Sequence, residues 1–299
     1  MNNTFYYKAF GLTIASAFPI VQATPIEPCE PDVRVICADL STMADLPHLY
    51  VTEESVFFRG EEQVEFLITG GNLVQVHPSD DYTPSYLSVY IMGSCMGAIL
   101  QQRGFMLMHG SCVTDGHRSI LITGQSGAGK STLAAEFLKQ GWKLITDDVT
   151  TVFDRDGVPM VQSSYPSQKL WNDALNRYQN DEHSVHSLYT DRDREKFGVH
   201  VNSDFMDGTA PLSLVVRLAK ADHEVHLEAM EGMAKIDQLV RNSYRFEYIA
   251  PSKRSRHFQR CVNLAGKIPM VLALRENDRD CAGILYKKIT TFMEEHCHD

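Results

Sequence analysis

A glycine-rich loop followed by a lysine and two hydroxyl residues carries the clearest chemical signal in the chain. Residues 124–132 read G-Q-S-G-A-G-K-S-T, between the apolar run 119–123 and the helix-like segment 132–138. In such a P-loop (Walker A motif), backbone N–H groups surround phosphates, the lysine reaches the β- and γ-phosphates, and the next hydroxyl binds Mg²⁺ at a helix N-terminus. The sequence therefore predicts a nucleoside triphosphate site formed by Gly124, Ser126, Gly127, Ala128, Gly129, Lys130, Ser131 and Thr132. The alternative is a glycine-rich turn before an ordinary helix.

Two adjacent aspartates follow this loop closely. Asp147 and Asp148 end a second apolar run, 142–146, and Asp147 comes seventeen residues after Lys130. One helix and one turn fit in that interval, so the second strand is expected near the loop strand, with both carboxylates beside the phosphates. A carboxylate there holds Mg²⁺ or accepts a proton from an attacking hydroxyl. We assign Asp147 as the base and Asp148 as a metal ligand with Ser131, and leave open which of the two is the base. The structural alternative is that both cap a turn.

A histidine lies upstream of the loop. Residues 104–111 read as a strand, in which His109 precedes Gly124 by fifteen residues. A hairpin through Asp115-Gly116 would bring His109 near the loop, where an imidazole could orient a carboxylate or a phosphate. Taken alone, such a histidine is more often structural than catalytic.

Together, these residues resemble the catalytic core of bacterial HPr kinase/phosphorylase. The matching segments are Met108-His109-Gly110, Leu121-Ile122-Thr123-Gly124-x-Ser126-Gly127-x-Gly129-Lys130-Ser131 and Asp147-Asp148-Val149. In that family, the histidine, the loop lysine and the aspartate surround a phosphoryl group passed from ATP to a serine of a protein. The resemblance therefore implies Mg²⁺ and ATP, an α/β fold with an HPr-kinase-type P-loop domain, and roles in catalysis for His109, Lys130, Asp147 and Asp148.

The chain also departs from that family. Thr132 stands where the family's loop prefers an acidic residue, and no counterpart of its phosphorylase signature follows Val149. These differences favour a kinase without efficient phosphorolysis. The chain resembles more closely the stand-alone HPr-kinase-like proteins of peptide-modification systems, including lasso-peptide precursor kinases, through short segments spread over its length. These segments are 7–14, 103–104, 168–171, 196–197, 211–213, 239–245 and 257–258. The implied acceptor is a serine of a peptide or protein, such as a ribosomally made precursor peptide.

Two other functions fit the same motifs. A small-molecule kinase would use the same phosphate loop, and a nucleotide-dependent regulator would bind ATP without efficient transfer. Downstream, a helix predicted over 231–245 places Arg241 and Arg245 on one face, four residues apart, where they could approach a phosphate or an acidic peptide end. Exposed arginines on a helix are more often only solvated.

Composition limits the kind of partner. The chain has 299 residues, is 43% hydrophobic and carries a formal charge of −10, which argues against nucleic-acid binding because that function favours a basic face. Seven unpatterned cysteines indicate a reduced, cytoplasmic protein. No apolar run reaches the ~20 residues needed to span a bilayer. For residues 9–18 a secretion signal is the alternative to a strand. Because HPr kinases form hexamers, a homo-oligomer is an open expectation.

The pattern of apolar runs predicts three regions: a smaller β-rich domain over 1–84, a connecting helix over 85–103, and a P-loop catalytic domain over 104–299. In the last region, the polar segment 180–198 is predicted to be an exposed loop. Mixed α/β structure follows, with strands at 212–218, 225–228 and 268–274 and helices at 231–245, 252–265 and 279–294.

Overall fold

The computed structural model of the protein describes residues 4–80, 82–171, 185–191, 194–277 and 280–297. Within these ranges the chain forms two large β-sheets, a small third sheet and helices packed against them, which confirms the mixed α/β class. No helix in the same ranges is long and apolar enough to cross a membrane. The seven cysteines are all free thiols.

The first sheet has the strand order β3-β1-β2-β4-β8-β7-β6-β5. Its strands alternate between buried apolar and exposed side chains; in β7, Phe66 and Ile68 are fully buried between half-buried neighbours. These strands agree with the β-rich character predicted for residues 1–84. The bounds are β1 Phe5–Ala9, β2 Leu12–Ser16, β3 Thr24–Pro25, β4 Val33–Cys37, β5 Leu49–Val51, β6 Ser55–Arg59, β7 Glu65–Thr69 and β8 Leu73–His77.

The connecting helix is present but not uniform. It consists of α1 (Pro84–Tyr90), a π-helical turn (Ile91–Cys95) and α2 (Met96–Gln102). The Thr83 hydroxyl accepts the N–H of Tyr86 at the start, and Gly104, at φ +88°, follows the end. All five residues of the π-helical turn are buried, so the helix is enclosed between the two large sheets rather than lying on the surface.

The end of α2 contacts both parts of the chain. Gln101 Nε2 donates hydrogen bonds to the carbonyl oxygens of Tyr244 and Arg245. The neighbouring Gln102 Nε2 donates to the carbonyl oxygen of Ile68, and its Oε1 accepts from the N–H of Gly71 at 2.8 Å. Two consecutive glutamines thus tie the first sheet to the segment after residue 240.

The second sheet has the order β10-β9-β12-β13-β17-β19-β18, with β11 also paired to β9. Its long strand β17 pairs with β13 through its first residues and with β10 through later ones, so part of the sheet closes on itself. The predicted strands at 119–123, 142–146, 212–218, 225–228 and 268–274 are all found. The bounds are β9 Met106–Thr114, β10 Ser119–Thr123, β11 Lys143–Thr146, β12 Val149–Arg155, β13 Val158–Gln162, β17 Thr209–Ala221, β18 His226–Ala229 and β19 Met270–Glu276.

Strand β9 is the centre of the site's framework. It pairs antiparallel with β10 along one edge and with β11 and then β12 along the other. Strands β11 and β12 are therefore two halves of one edge, interrupted at residues 147–148. The second strand lies one strand away from the loop strand, and β9 separates the two.

Four further helices pack on the second sheet, and predicted ends differ from observed ends by at most four residues. They are α3 Lys130–Lys139, α4 Gly232–Arg241, α5 Arg254–Lys267 and α6 Ala282–His296. The prediction that Arg241 and Arg245 share a helix face is wrong. Helix α4 ends at Arg241, and Arg245 has φ +47°, because the chain turns away to bond β9 through Ser243 and Tyr244.

The prediction of an exposed loop over 180–198 is also wrong where the chain is described. A small sheet forms from β14 (Ser167–Trp171), β16 (Arg194–His200) and β15 (Val185–Asp191), in that order. Leu188 on β15 and Val199 on β16 are buried, although the segment is polar overall. Residues 180–184 and 192–193 lie outside the described ranges.

The apolar core does not divide at the predicted domain boundary. One cluster joins residues of the first sheet and of α1 and α2 to Leu107, Val149, Tyr165, Tyr244 and Tyr248. Two others fill the space between the second sheet and its helices. The first sheet and the second sheet therefore share one buried interface.

Candidate active site

The phosphate-loop motif forms the turn between β10 and α3. Gly124 follows the last residue of β10 with φ +141°, and a Cβ there would lie 2.4 Å from the carbonyl oxygen of Leu218, so only glycine fits. Residues 125–127 are exposed, and α3 begins at Lys130 after Gly129. The N-terminus of α3, with the N–H groups of its first turn and the positive end of its dipole, lies at this turn.

Two cations are bonded to the loop's own carbonyls. Lys130 Nζ donates to the carbonyl oxygens of Gly124 at 2.9 Å and Gln125 at 3.3 Å. Arg275, near the end of β19, donates from Nε to the carbonyl oxygen of Ala128 at 2.7 Å. Arg275 could not be identified from the sequence, because it lies far from the loop in the chain and in no recognisable motif.

Asp147 lies buried where β11 gives way to β12. Its Oδ1 accepts hydrogen bonds from the hydroxyls of Ser111 and Ser131, the latter at 3.4 Å. Its Oδ2 accepts the backbone N–H of Lys169 at 2.8 Å. The side chain of Asp147 is only 3% exposed. This carboxylate thus links β9, the first turn of α3 and β14, and its lone pairs are directed at groups inside the protein.

Asp148 has a different environment, although it is the next residue. Its φ of +78° turns the side chain away from the ladder, and the carboxylate is 23% exposed. Oδ1 lies 3.2 Å from His109 Nδ1, and Oδ2 accepts a hydrogen bond from Lys169 Nζ at 2.7 Å. One aspartate is therefore enclosed and the other reaches solvent between two basic groups.

Lys169 is the main site residue that the sequence analysis did not assign. It lies on β14, and its side chain is 5% exposed. Burial lowers the pKa of this ammonium, but attraction to Asp148, Tyr165 and Tyr244 outweighs burial, so the pKa of Lys169 lies well above its ordinary value. No strand is predicted at 167–171 from the sequence, so no local pattern marked this lysine. The adjacent Gln168 donates to the carbonyl oxygen of Ser131 at 2.9 Å.

The segment after α4 contacts both the backbone and the ring of His109. Its backbone N–H donates to the carbonyl oxygen of Asn242 at 2.7 Å, and its ring stacks on Tyr244 at a centroid distance of 6.1 Å. Burial raises the pKa of Tyr244, so the tyrosine is a neutral platform. The imidazole is 37% exposed and presents Nδ1 to Asp148.

The structure brings most of the predicted residues together, but not the two arginines. Arg241 is exposed and pairs with Asp237 at 2.7 Å. Arg245 donates to the hydroxyl of Ser94 at 3.1 Å and lies over Tyr248. Arg245 also hydrogen-bonds with Tyr244, the ring on which His109 stacks, so its link to the aspartates is indirect. Thr132 occupies the first turn of α3.

The assembled groups suit phosphate and a hard divalent cation. Ser131 and Asp147 offer adjacent oxygen ligands of the type that Mg²⁺ prefers, beside a helix N-terminus that favours anions. Asp148 supplies a partly exposed carboxylate between an imidazole and an ammonium. This set can hold a charged phosphate and accept a proton close to it.

Comparisons with known proteins point to the same part of the chain. Residues 103–170 match the family described as HPr Serine kinase C-terminal domain. The HPr kinase/phosphorylase of Clostridium beijerinckii is 48% identical over 50 residues, 17% of this chain and 17% of that protein. The enzyme of the same name from Listeria welshimeri is 40% identical over 57 residues, 19% of this chain and 18% of that protein. These matches support an HPr-kinase-like family, and they span less than a fifth of either curated relative.

Among solved structures, the Hpr(Ser) kinase/phosphatase from Coxiella burnetii aligns with a TM-score of 0.32 and 13% identity. The alignment covers 63% of this chain and 93% of that chain.

Proposed function

We propose that the protein is an Mg²⁺- and ATP-dependent kinase of the cytoplasm that transfers phosphate to a serine hydroxyl of a peptide or protein. The observation that carries this proposal is the convergence of His109, Asp148 and Lys169 beside Ser131 and Asp147, at the start of α3. The similarity of residues 103–170 to HPr kinases supports it.

In this proposal the loop binds the phosphates of ATP. Backbone groups of residues 124–132 surround them, and Lys130 exchanges its loop carbonyls for phosphate oxygens. Ser131 and Asp147 would hold Mg²⁺, whose bound charge neutralises phosphate oxygens. Asp147 suits this role because its carboxylate is already fixed by Ser111 and by the N–H of Lys169.

We further propose that Asp148, rather than Asp147, is the base. Asp148 reaches solvent, where a serine hydroxyl can approach, whereas Asp147 is enclosed by three donors. The serine oxygen forms a bond to the γ-phosphorus, the bond from that phosphorus to the β,γ-bridging oxygen breaks, and Asp148 takes the serine proton. His109 orients Asp148, and Lys169 balances its charge. Because the transition state is loose, a weak base is sufficient.

The direction and the acceptor are inferred from the sequence. Thr132 in place of an acidic residue favours transfer to serine over phosphorolysis. The resemblance to lasso-peptide precursor kinases, spread over the chain, favours a ribosomal precursor peptide as the acceptor. The same relationship makes a homo-oligomer part of the proposal, to be checked by light scattering of the purified protein.

The test is incubation of the purified protein with Mg²⁺, labelled ATP and a set of serine peptides, followed by mass spectrometry. We expect one or more peptides to gain phosphate at serine, and Asp148→Asn to abolish the gain. Phosphate appearing on metabolites from a cell extract instead would indicate a small-molecule kinase. Tight ATP binding without any transfer would indicate a nucleotide-dependent regulator and would overturn the kinase proposal.

A further inference from the structure

A groove opens where the first sheet, the end of α2 and the start of α5 meet. It has a volume of about 180 Å³. Its walls come from the β5–β6 turn, from residues 101–105 and from residues 248–260. None of these residues was assigned a function by the sequence analysis.

The groove is basic in a protein that is acidic overall. Residues 251–267 contain five lysines and arginines and no aspartate or glutamate, whereas the chain carries a formal charge of −10. Arg256 and Arg260, one helical turn apart on α5, line the groove. In the described part of the chain, neither guanidinium lies within ion-pair distance of a carboxylate. Glu53, the acidic residue in the groove wall, pairs with Lys253 at 3.8 Å.

The lining also includes a polar group that lacks a partner. Gln101 donates from Nε2 to two carbonyl oxygens, but its Oε1 is buried and accepts no hydrogen bond from the residues that the structure describes. A buried acceptor without a donor costs free energy. The complementarity that the groove offers to a peptide is therefore that of its charges.

The groove adjoins the candidate active site. Phe105 in its wall precedes β9, and His109 follows four residues later on that extended strand, about 13 Å away. His257, which also lines the groove, bonds the hydroxyl of Ser243, whose backbone bridges to Met108. An extended peptide of about four residues has the length of the separation between Phe105 and His109.

We propose that this groove docks an acidic segment of the peptide substrate, with carboxylates on Arg256 and Arg260, about four residues from the acceptor serine. The position of the acceptor serine rests on the proposed kinase function, whereas the binding of an acidic segment does not. Because the rest of the acidic protein repels such a segment, the groove would select the binding register of the peptide.

The test uses two synthetic probes: a peptide with two glutamates placed four residues from a serine, and its counterpart with glutamines. We expect wild-type protein to bind the glutamate peptide at least tenfold more tightly by fluorescence anisotropy, with a preference that weakens as salt rises. Arg256→Glu combined with Arg260→Glu should remove the preference, raising KM for the glutamate peptide at least tenfold with little change in kcat.

A matched charge reversal, Lys287→Glu with Lys288→Glu on the exposed face of α6, should leave the preference intact. The milder pair Arg256→Gln and Arg260→Gln keeps the result interpretable if the reversed pair fails to fold, as judged by circular dichroism. Equal binding of the two peptides by wild-type protein would overturn the docking proposal. So would a loss of the preference for the glutamate peptide in the Lys287→Glu, Lys288→Glu control that equals the loss in the arginine variant. Selective binding without phosphate transfer would instead contradict the kinase proposal and leave the groove assignment standing.

Discussion

Asp147 and Asp148 show how two neighbouring carboxylates acquire different chemistry. The backbone of Asp148 enters the left-handed region at φ +78°, so the two side chains leave the strand edge in different directions. Asp147 then receives three donors inside the protein, and Asp148 lies between His109 and Lys169 at the surface. In the proposed mechanism, this one backbone feature separates the carboxylate that would hold Mg²⁺ from the one that would accept the proton.

Replacing these carboxylates one at a time should separate their roles. We expect Asp148→Asn to lower kcat by about 100-fold or more while ATP affinity stays unchanged, since a general base contributes on that scale. Asparagine tolerates positive φ, so the backbone should be preserved. Asp147→Asn should instead raise the Mg²⁺ concentration needed for activity. Steady-state kinetics with Mg²⁺ titration measures both, and full turnover by Asp148→Asn would exclude it as the base.

Removing the ammonium of Lys169 should affect stability as well as transfer. Lys169→Met leaves Asp148 without its ion pair, and we expect a loss of about 2 kcal/mol in the free energy of unfolding, together with lower kcat. Because the pKa of Lys169 is raised in the folded protein, its stabilisation is fully present below its ordinary pKa of about 10.5 and is lost only above it.

The difference in unfolding free energy between wild type and Lys169→Met should therefore be constant from pH 7 to pH 9 in urea titrations. Lys288→Met, on the exposed face of α6, is the control and should change little. A difference that shrinks within this range would contradict a permanently charged Lys169.

At the residue scale, local motifs predicted most of the site but not its partners. The loop, the aspartate pair and His109 were identifiable because their spacing is fixed by one strand–loop–helix unit and its neighbours. Lys169 pairs with Asp148 across twenty-one residues through the small sheet, and no spacing rule encodes that contact. The two arginines were misplaced because helical periodicity continues past Arg241, whereas pairing with β9 ends the helix.

At the scale of elements, β9 determines the geometry because it pairs with the loop strand on one side and with the aspartate-bearing edge on the other. The close approach of β9 and β10 is marked by Gly110, where a Cβ would lie 2.4 Å from the carbonyl oxygen of Ile122. Side chains can therefore not be added at this position without moving a strand.

Gly110→Ala should consequently destabilise the protein by about 1–3 kcal/mol, the range for overpacking, and should lower activity by displacing His109. The matched control is Gly266→Ala on α5, where an added Cβ meets nothing within 4 Å and alanine is the better helix former. Urea denaturation of both variants measures the effect. Equal stability of Gly110→Ala and wild type would contradict the observed strand spacing.

His257, on helix α5, makes the stability of the protein depend on pH. Burial, and secondarily the charge of Arg260, lower the pKa of His257 below its ordinary value, so the folded protein keeps this imidazole neutral. A lowered pKa means that stability is complete above about pH 6.5 and is lost as pH falls below it. We expect wild type to lose more unfolding free energy than His257→Gln between pH 7.5 and pH 5.5. Parallel losses in the two proteins would exclude His257 as the source.

Elements were more predictable than their arrangement. Helix periodicity and strand alternation located the long elements, because burial of one face imposes a period on the sequence. The small sheet was missed because its strands carry many polar residues and only a few buried ones, such as Leu188 and Val199. Strand order depends on contacts between distant segments, such as β10 with β17, which a local pattern does not contain.

At the scale of the whole molecule, the shared core makes the first sheet and residues 104–299 depend on each other. Tyr244 and Tyr248, which follow α4, are buried in the same apolar cluster as the first sheet. The boundary predicted at residue 104 is therefore a change of sheet and not a gap in packing.

A shortened chain of residues 104–299 should expose this face and lose its native packing. We expect it to bind the dye ANS strongly, to melt without a cooperative transition and to bind ATP more weakly than the full chain, since Tyr244, which supports His109, would lose the apolar cluster that positions it. Calorimetry and dye fluorescence measure this. A cooperative transition with undiminished ATP binding would show that residues 104–299 fold independently.

The consecutive glutamines at the end of α2 have a mechanical consequence. Gln102 is bonded to the backbone of the first sheet, and Gln101 to the carbonyl of Tyr244, whose ring lies against His109. These contacts join the first sheet to the ring that supports His109 through packed side chains and hydrogen bonds. In the proposed kinase, the position of the imidazole would therefore depend on the first sheet, although that sheet supplies no residue to the phosphate loop.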